Sequence, residues 1–155
     1  MQALTEFKMK VKNLKLLATS DEDLKVIAAH LQDAIVSLSD IANLKQNRIF
    51  LIQLNRFMWE DVEKGVFRKN KRIRTVLKFD NVINVLSKKI NTKEDKIFLD
   101  FLTIESKLLP DKSYEIQLIF SGDSMIKIKA EVIDVTLDDQ GSPWETKAQP
   151  KHDFL

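Results

Sequence analysis

The 155-residue chain contains no cysteine, which excludes disulfides, thiolate metal sites and a cysteine nucleophile. It has only three glycines and three prolines. Its turns must therefore come largely from Asn, Asp, Lys and Ser, and strand register must be specified mainly by the buried faces. No run approaches the roughly 20 apolar residues of a membrane-spanning helix. The first residues, MQALTEFKMKVKN, lack the apolar stretch of a secretory signal, so a cytoplasmic protein is expected. Glycine-rich phosphate loops, Gly-x-Ser-x-Gly elbows and helix-turn-helix patterns are also missing. Neither His30 nor His152 has a second histidine at metal-ligand spacing, so no metal site and no cofactor is expected.

What is present is the composition of a globular protein, 44% hydrophobic and 31% charged. The net charge of +2 conceals an asymmetry. Residues 64–96 hold 11 Lys/Arg against 3 Asp/Glu, whereas residues 97–155 hold 6 against 11. An anionic partner is thus to be sought near the middle of the chain.

Ser20 followed by Asp21, Glu22 and Asp23 resembles a capping box at the positive end of a helix dipole. Leu24, Ile27, Ala28 and Leu31 continue at helical spacing, which predicts a helix over 21–32. The rest reads as strands. Residues 14–18 form one, and residues 35–38 and 49–57 form a hairpin around the polar turn 45–48. Residues 58–71 read as a loop, and 72–79 as a half-buried strand. A second hairpin is expected from 82–86 and 96–104. A third joins 114–120 to 125–130 through Ser121-Gly122-Asp123, where glycine supplies positive φ cheaply. Residues 132–137 extend its return strand, and 138–155 form an irregular tail that packs Trp144.

Residues 35–54 recur 48 positions later as residues 83–102 without a gap. Ile35, Leu38, Ser39, Asn43, Lys45, Ile49, Phe50, Leu51 and Leu54 fall on identical residues. This echo predicts a repeated supersecondary unit. The expected fold is α+β and mostly antiparallel β. It is a bent sheet or partly open barrel built from hairpin units, with one secure helix near the N-terminus. The expected division is an extension over 1–13 followed by a single domain over 14–155.

Several segments carry a family likeness: Gln32-Asp33-Ala34, then Asn55-Arg56-Phe57 with Trp59-Glu60, then the basic segment 68–74. Phe79-Asp80 with Val82 follows, then Trp144, Thr146, Pro150 and His152. In their order and spacing they resemble a domain-of-unknown-function family of small uncharacterised alphaproteobacterial proteins. The resemblance covers the chain from about residue 14. It implies a cytoplasmic bacterial protein and supplies no catalytic residues.

The two echoing segments part at residues 55–60, where only the first has the amide, the arginine and the tryptophan. Arg72, Arg74 and Lys78 share one face if they lie on a strand, and Arg56 and Trp59 could stand nearby. A cationic face with an aromatic suits an anionic group. Asn55, Arg56, Trp59, Glu60, Arg72 and Arg74 are therefore the candidate ligand- or partner-binding residues. The competing reading is aromatic packing by Phe57 and Trp59, with Arg56 paired to Glu60 or Asp61 and a charge-blunted edge strand. The carboxylates Asp123, Asp134, Asp138 and Asp139 follow no calcium-loop spacing.

The first functional expectation is a non-enzymatic binding or adaptor module that recognises a protein or an anionic ligand. The alternatives are a small enzyme with a pocket between the hairpin units and a weak nucleic-acid binder whose only signal is charge. A homodimer through an open sheet edge is also an expectation.

Overall fold

The computed structural model describes residues 13–60, 70–90 and 98–146, and all statements of position concern these. The chain runs β1 (Lys15–Ala18), α1 (Asp21–Leu31), β2 (Ile35–Ser37), β3 (Ile41–Leu44), β4 (Ile49–Phe57), β5 (Lys71–Phe79), β6 (Val82–Lys88), β7 (Phe98–Leu108), β8 (Tyr114–Phe120), β9 (Met125–Ala130) and β10 (Val135–Glu145). Single 3-10 turns at Leu38–Asp40 and Lys45–Asn47 flank β3. The strand order is β1-β10-β5-β4-β2-β7-β8-β9-β6, with β3 added beside β4. Every pairing among these strands is antiparallel. The α+β class and the bent, unclosed sheet agree with the sequence reading.

The helix forms where the caps and the apolar spacing place it. The Ser20 hydroxyl accepts the Asp23 amide at 3.2 Å, and the Asp23 carboxylate in turn accepts the Thr19 amide at 3.0 Å. The box therefore closes one residue further out than in the standard motif. Leu24, Ile27, Ala28 and Leu31 are buried, and the helix packs on β7, β1 and β4. β4, β5 and the first half of β10 alternate between inward and outward residues along most of their length. Phe50, Ile52 and Leu54 of β4 point inward beside Ile73, Leu77 and Phe79 of β5 and Val135 and Leu137 of β10. Phe101, Ile116, Leu118, Phe120, Ile126 and Ile128 bring β7, β8 and β9 into the same core.

Several expectations need correcting. The turn at 45–48 is real, with Arg48 in the left-handed region at φ 56°, but it joins β3 to β4. Segment 35–38 is not the hairpin partner. It shortens to β2, which touches β4 at one pair, Ile35 with Asn55, and otherwise pairs with β7. The second hairpin does not form, because β6 pairs with β9 and β7 pairs with β8. The echo between 35–54 and 83–102 is thus not carried into equal structure. Phe50 is buried, whereas its counterpart Phe98 is 68% exposed, and Leu54 is buried where Leu102 is 44% exposed. Within the echoing segment the inward residues of β7 are Leu99 and Phe101, one position out of phase, and a one-residue slip turns every side chain to the other face.

The third hairpin, β8 with β9, forms as expected, with Gly122 and Asp123 both at positive φ. The chain then leaves β9 at Ala130 instead of extending it. It crosses to the other half of the sheet as β10, between β1 and β5. Residues 138–145 are the second half of that strand rather than an irregular tail. Val135, Leu137 and Asp139 keep the inward period, and Gly141 at φ 71° absorbs the register shift between Gln140 and Trp144. Trp144 is 42% exposed, not packed inside. Residues 1–12 of the expected extension over 1–13, residues 61–69 of the expected loop over 58–71 with Arg68 and Lys69, the expected turn at 91–95, and residues 147–155 of the expected tail with Pro150 and His152 lie outside the described residues.

Candidate functional site

The candidate residues come to one end of the sheet, but they divide between its two faces. On β4 the inward series Phe50, Ile52, Leu54 is completed by Arg56, whose side chain is 1% exposed. Its Nε donates to Asp139 Oδ1 at 2.8 Å and its Nη2 to Asp139 Oδ2 at 2.7 Å. The Nη1 and Nη2 groups also donate to the two oxygens of Glu60, each at 3.0 Å. The guanidinium is therefore held twice in bidentate fashion, the geometry its planar fork matches best. Asp139 is equally buried, and its Oδ2 accepts the Leu14 amide at 2.9 Å. Its own amide donates to the Leu14 carbonyl. One ion cluster thus ties the entry to β1, the middle of β10 and the end of β4.

Electrostatics follow from this packing. Burial alone pulls the Arg56 guanidinium down, but the hydrogen bonds and charges of Asp139 and Glu60 outweigh it and raise it further above its ordinary value. Burial pushes the Glu60 carboxyl up, and the paired Arg56 reverses this, holding it below the ordinary carboxylate value. Beside the cluster stands Thr75, whose backbone pairs with both Leu54 and Asp139. Its buried hydroxyl has no hydrogen-bond partner among the described residues.

Trp59 and Arg72 act on the backbone. Trp59 Nε1 donates to the Gln32 carbonyl at 2.9 Å, and its ring meets Phe57 edge-on at 4.6 Å. Arg72 Nη1 donates to the Asn55 and Asp33 carbonyls at 3.0 and 3.3 Å, and the guanidinium lies 5.8 Å over the Phe57 ring. Burial lowers the Arg72 guanidinium, Asp33 and Asp100 oppose this, and it remains a cation at neutral pH. These bonds clamp the turn at Gln32-Asp33, where Asp33 takes φ 63°. Segments 32–34 and 55–60, far apart in sequence, meet here.

On the outer face, β5 presents Arg72, Arg74, Val76 and Lys78, the shared face expected from two-residue spacing. Direct cross-strand pairs place Arg74 between Gln140 of β10 and Asn55 of β4. They also place Arg72 between Trp144 and Phe57. Arg74 is exposed and makes no ion pair among the described residues.

The structure therefore brings Asn55, Arg72 and Arg74 to one face and turns Arg56 and Glu60 into an internal cluster. Arg56 is not part of an exposed basic and aromatic surface. The competing reading named Glu60 as its partner, and that pair is present. The sequence names Asp139 only among the carboxylates without calcium-loop spacing; its pairing with Arg56, the place of Gln140 and the position of Trp144 are not foreseen. The signal for Asp139 was available in the period-two series Val135, Leu137, Asp139, and was lost when the tail was read as irregular.

The family described as "Protein of unknown function (DUF2948)" matches residues 14–152. No curated protein matches the chain.

Proposed function

We propose a binding role for this chain, which belongs to the DUF2948 family over nearly its whole length. The chain acts as a binding or adaptor module, and its outer β10-β5-β4 face receives an anionic group of its partner. The observation that carries this reading is the row Gln140–Arg74–Asn55, an exposed guanidinium between two amide side chains on adjacent strands. A guanidinium supplies a fork of donors for a carboxylate or phosphate, and flanking amides add further donors. The next row contributes Trp144 at 42% exposure, an aromatic surface beside the cation. Arg72, in the next row of the same face, braces Asn55 by donating to its carbonyl.

Acid–base catalysis finds less support. The carboxylates beside Arg56 are already engaged with it, and the pocket lined by β3, β4, β6 and β9 has no titratable group in its described lining.

The test compares capture of host proteins by tagged wild type and Arg74→Glu, with thermal unfolding of both. We expect Arg74→Glu to lose specific partners while its melting temperature stays within about 2 °C, since an exposed substitution changes stability by roughly 0.5 kcal/mol or less. The same partners at equal yield would overturn the reading. A partner set that falls away steeply with salt and is replaced by nucleic acid would favour charge-driven nucleic-acid contact instead.

A further inference from the structure

β3 pairs only with β4, and β6 only with β9, so each presents an unpaired edge among the described residues. The edges approach at one point, where the start of β6 meets the turn that follows β3. The Val82 amide donates to the Arg48 carbonyl at 2.9 Å, and Arg48 Nε donates back to the Val82 carbonyl at 3.3 Å. Beyond this clamp they part, because β3 is only four residues long and bounded by 3-10 turns. The gap is a cleft of about 400 Å³ lined by Leu38, Ile41, Phe50, Val85, Ile90 and Ile126, with Asn43 and Ser87 at its sides. Leu38, Ile41, Val85 and Ile90 are only partly buried by the core. Toward the clamp the cleft continues into a smaller recess of about 150 Å³ that shares Asn43 and Val85 and adds Lys45 and Arg48.

The ends of this cleft differ in chemistry. One is aliphatic and aromatic. The other carries two cations, of which Arg48 is already paired with Glu131 at 2.7 Å. Lys45 has no ion pair among the described residues, and the Asn43 amide is likewise unengaged. An apolar cavity of this size with a few convergent polar groups at one end is the usual form of a small-molecule site.

We propose that the cleft between β3 and β6 binds a single-chain amphiphilic anion, a medium-chain acyl carboxylate. Its hydrocarbon lies along Phe50, Val85 and Ile126, and its carboxylate meets Lys45 and Asn43. The apolar end removes the chain from water, and Lys45 selects the sign of the head group. This site is on different residues from the Arg74 face, and neither depends on the other.

Isothermal titration of the full chain with decanoate, decanol and decylamine, below their aggregation concentrations, tests the assignment. Decanoate should bind with one-to-one stoichiometry and more tightly than either control. Ser87→Phe and Asn43→Trp each fill the cleft from an edge strand and leave the core intact. Both should remove binding without lowering the melting temperature. Lys45→Glu should weaken decanoate about fivefold or more and leave decanol unchanged. No decanoate binding, or binding that survives both filled variants, would overturn the site. Equal affinity for all three probes would overturn the anion assignment.

Discussion

Arg56 shows why a residue type does not reveal its role. From sequence, an arginine beside a tryptophan reads equally as a recognition group or as an internal ion pair. Burial decides between them, since Arg56 and Asp139 are both nearly inaccessible and each satisfies the other. Removing one partner of a buried pair leaves an uncompensated charge. Arg56→Met should therefore cost about 3–5 kcal/mol of unfolding free energy. Arg56→Met combined with Asp139→Leu should recover much of that loss, because the buried charges go together. Denaturant unfolding of the four proteins in this cycle checks both statements. Thr75 offers the opposite case. Its buried hydroxyl lacks a partner, so Thr75→Val, nearly the same shape, should raise stability by about 1 kcal/mol.

Glu60 adds a pH dependence at the same scale. Its folded-state pKa is lowered, so its contribution is fully present above the ordinary glutamate value of about 4.3 and is lost as pH falls through the lowered value. Glu60→Gln should be less stable than wild type at neutral pH, and the gap should narrow once pH falls below the ordinary glutamate range and close as Glu60 takes up its proton. Unfolding midpoints across that range would show it. A gap independent of pH would mean that Glu60 is not held as a charged partner of Arg56.

At the scale of elements, what was legible followed from local chemistry. The helix carries its acidic first turn and its apolar spacing within eleven residues, with its cap at Ser20 just before them, and it appears where expected. Ser20→Ala should cost about 1 kcal/mol by freeing the Asp23 amide, read as a lowered unfolding midpoint. The third hairpin was legible for the same reason, since Gly122 marks its turn. β10 was not, because its second half is broken by Gly141 and Pro143 and looks like a tail. Only the inward positions Val135, Leu137 and Asp139 reveal a strand, and their partners lie some 60 residues earlier on β5. The hairpin of 35–38 with 49–57 failed similarly. The turn was visible, but which strand it served depended on packing that local pattern does not encode.

The whole molecule was the least legible level. Antiparallel α+β architecture follows from hairpin-length connections, but strand order does not. β6 follows β5 directly and yet pairs with β9 at the far end of the sheet. β10 returns from β9 to insert between β1 and β5. The echo of 35–54 in 83–102 suggested two like units. Among the described residues, Phe50 and Leu54 are buried where their counterparts Phe98 and Leu102 are exposed, so this part of the echo differs in phase. The candidate site was half legible. Its residues do converge, because segments 32–34, 55–60 and β5 share one end of the sheet. Their division into inner and outer faces required the register.

The homodimer expected from an open sheet edge is tested at this level too. β6 is an outer strand carrying Ile83 and Leu86 at 48% and 58% exposure, an apolar edge of the kind that pairs between copies. If two chains join there, sedimentation velocity should show a concentration-dependent dimer that Leu86→Lys removes. A constant monomer mass would contradict the dimer.

The basic residues near β4 and β5 divide into a buried, paired cation, Arg56, and an exposed cation, Arg74, the one proposed to meet the partner. Urea unfolding of Arg56→Met and Arg74→Glu beside wild type tests this division most directly. We expect a loss of about 3 kcal/mol or more for Arg56→Met and about 0.5 kcal/mol or less for Arg74→Glu. Equal losses, or a larger loss for Arg74→Glu, would contradict it.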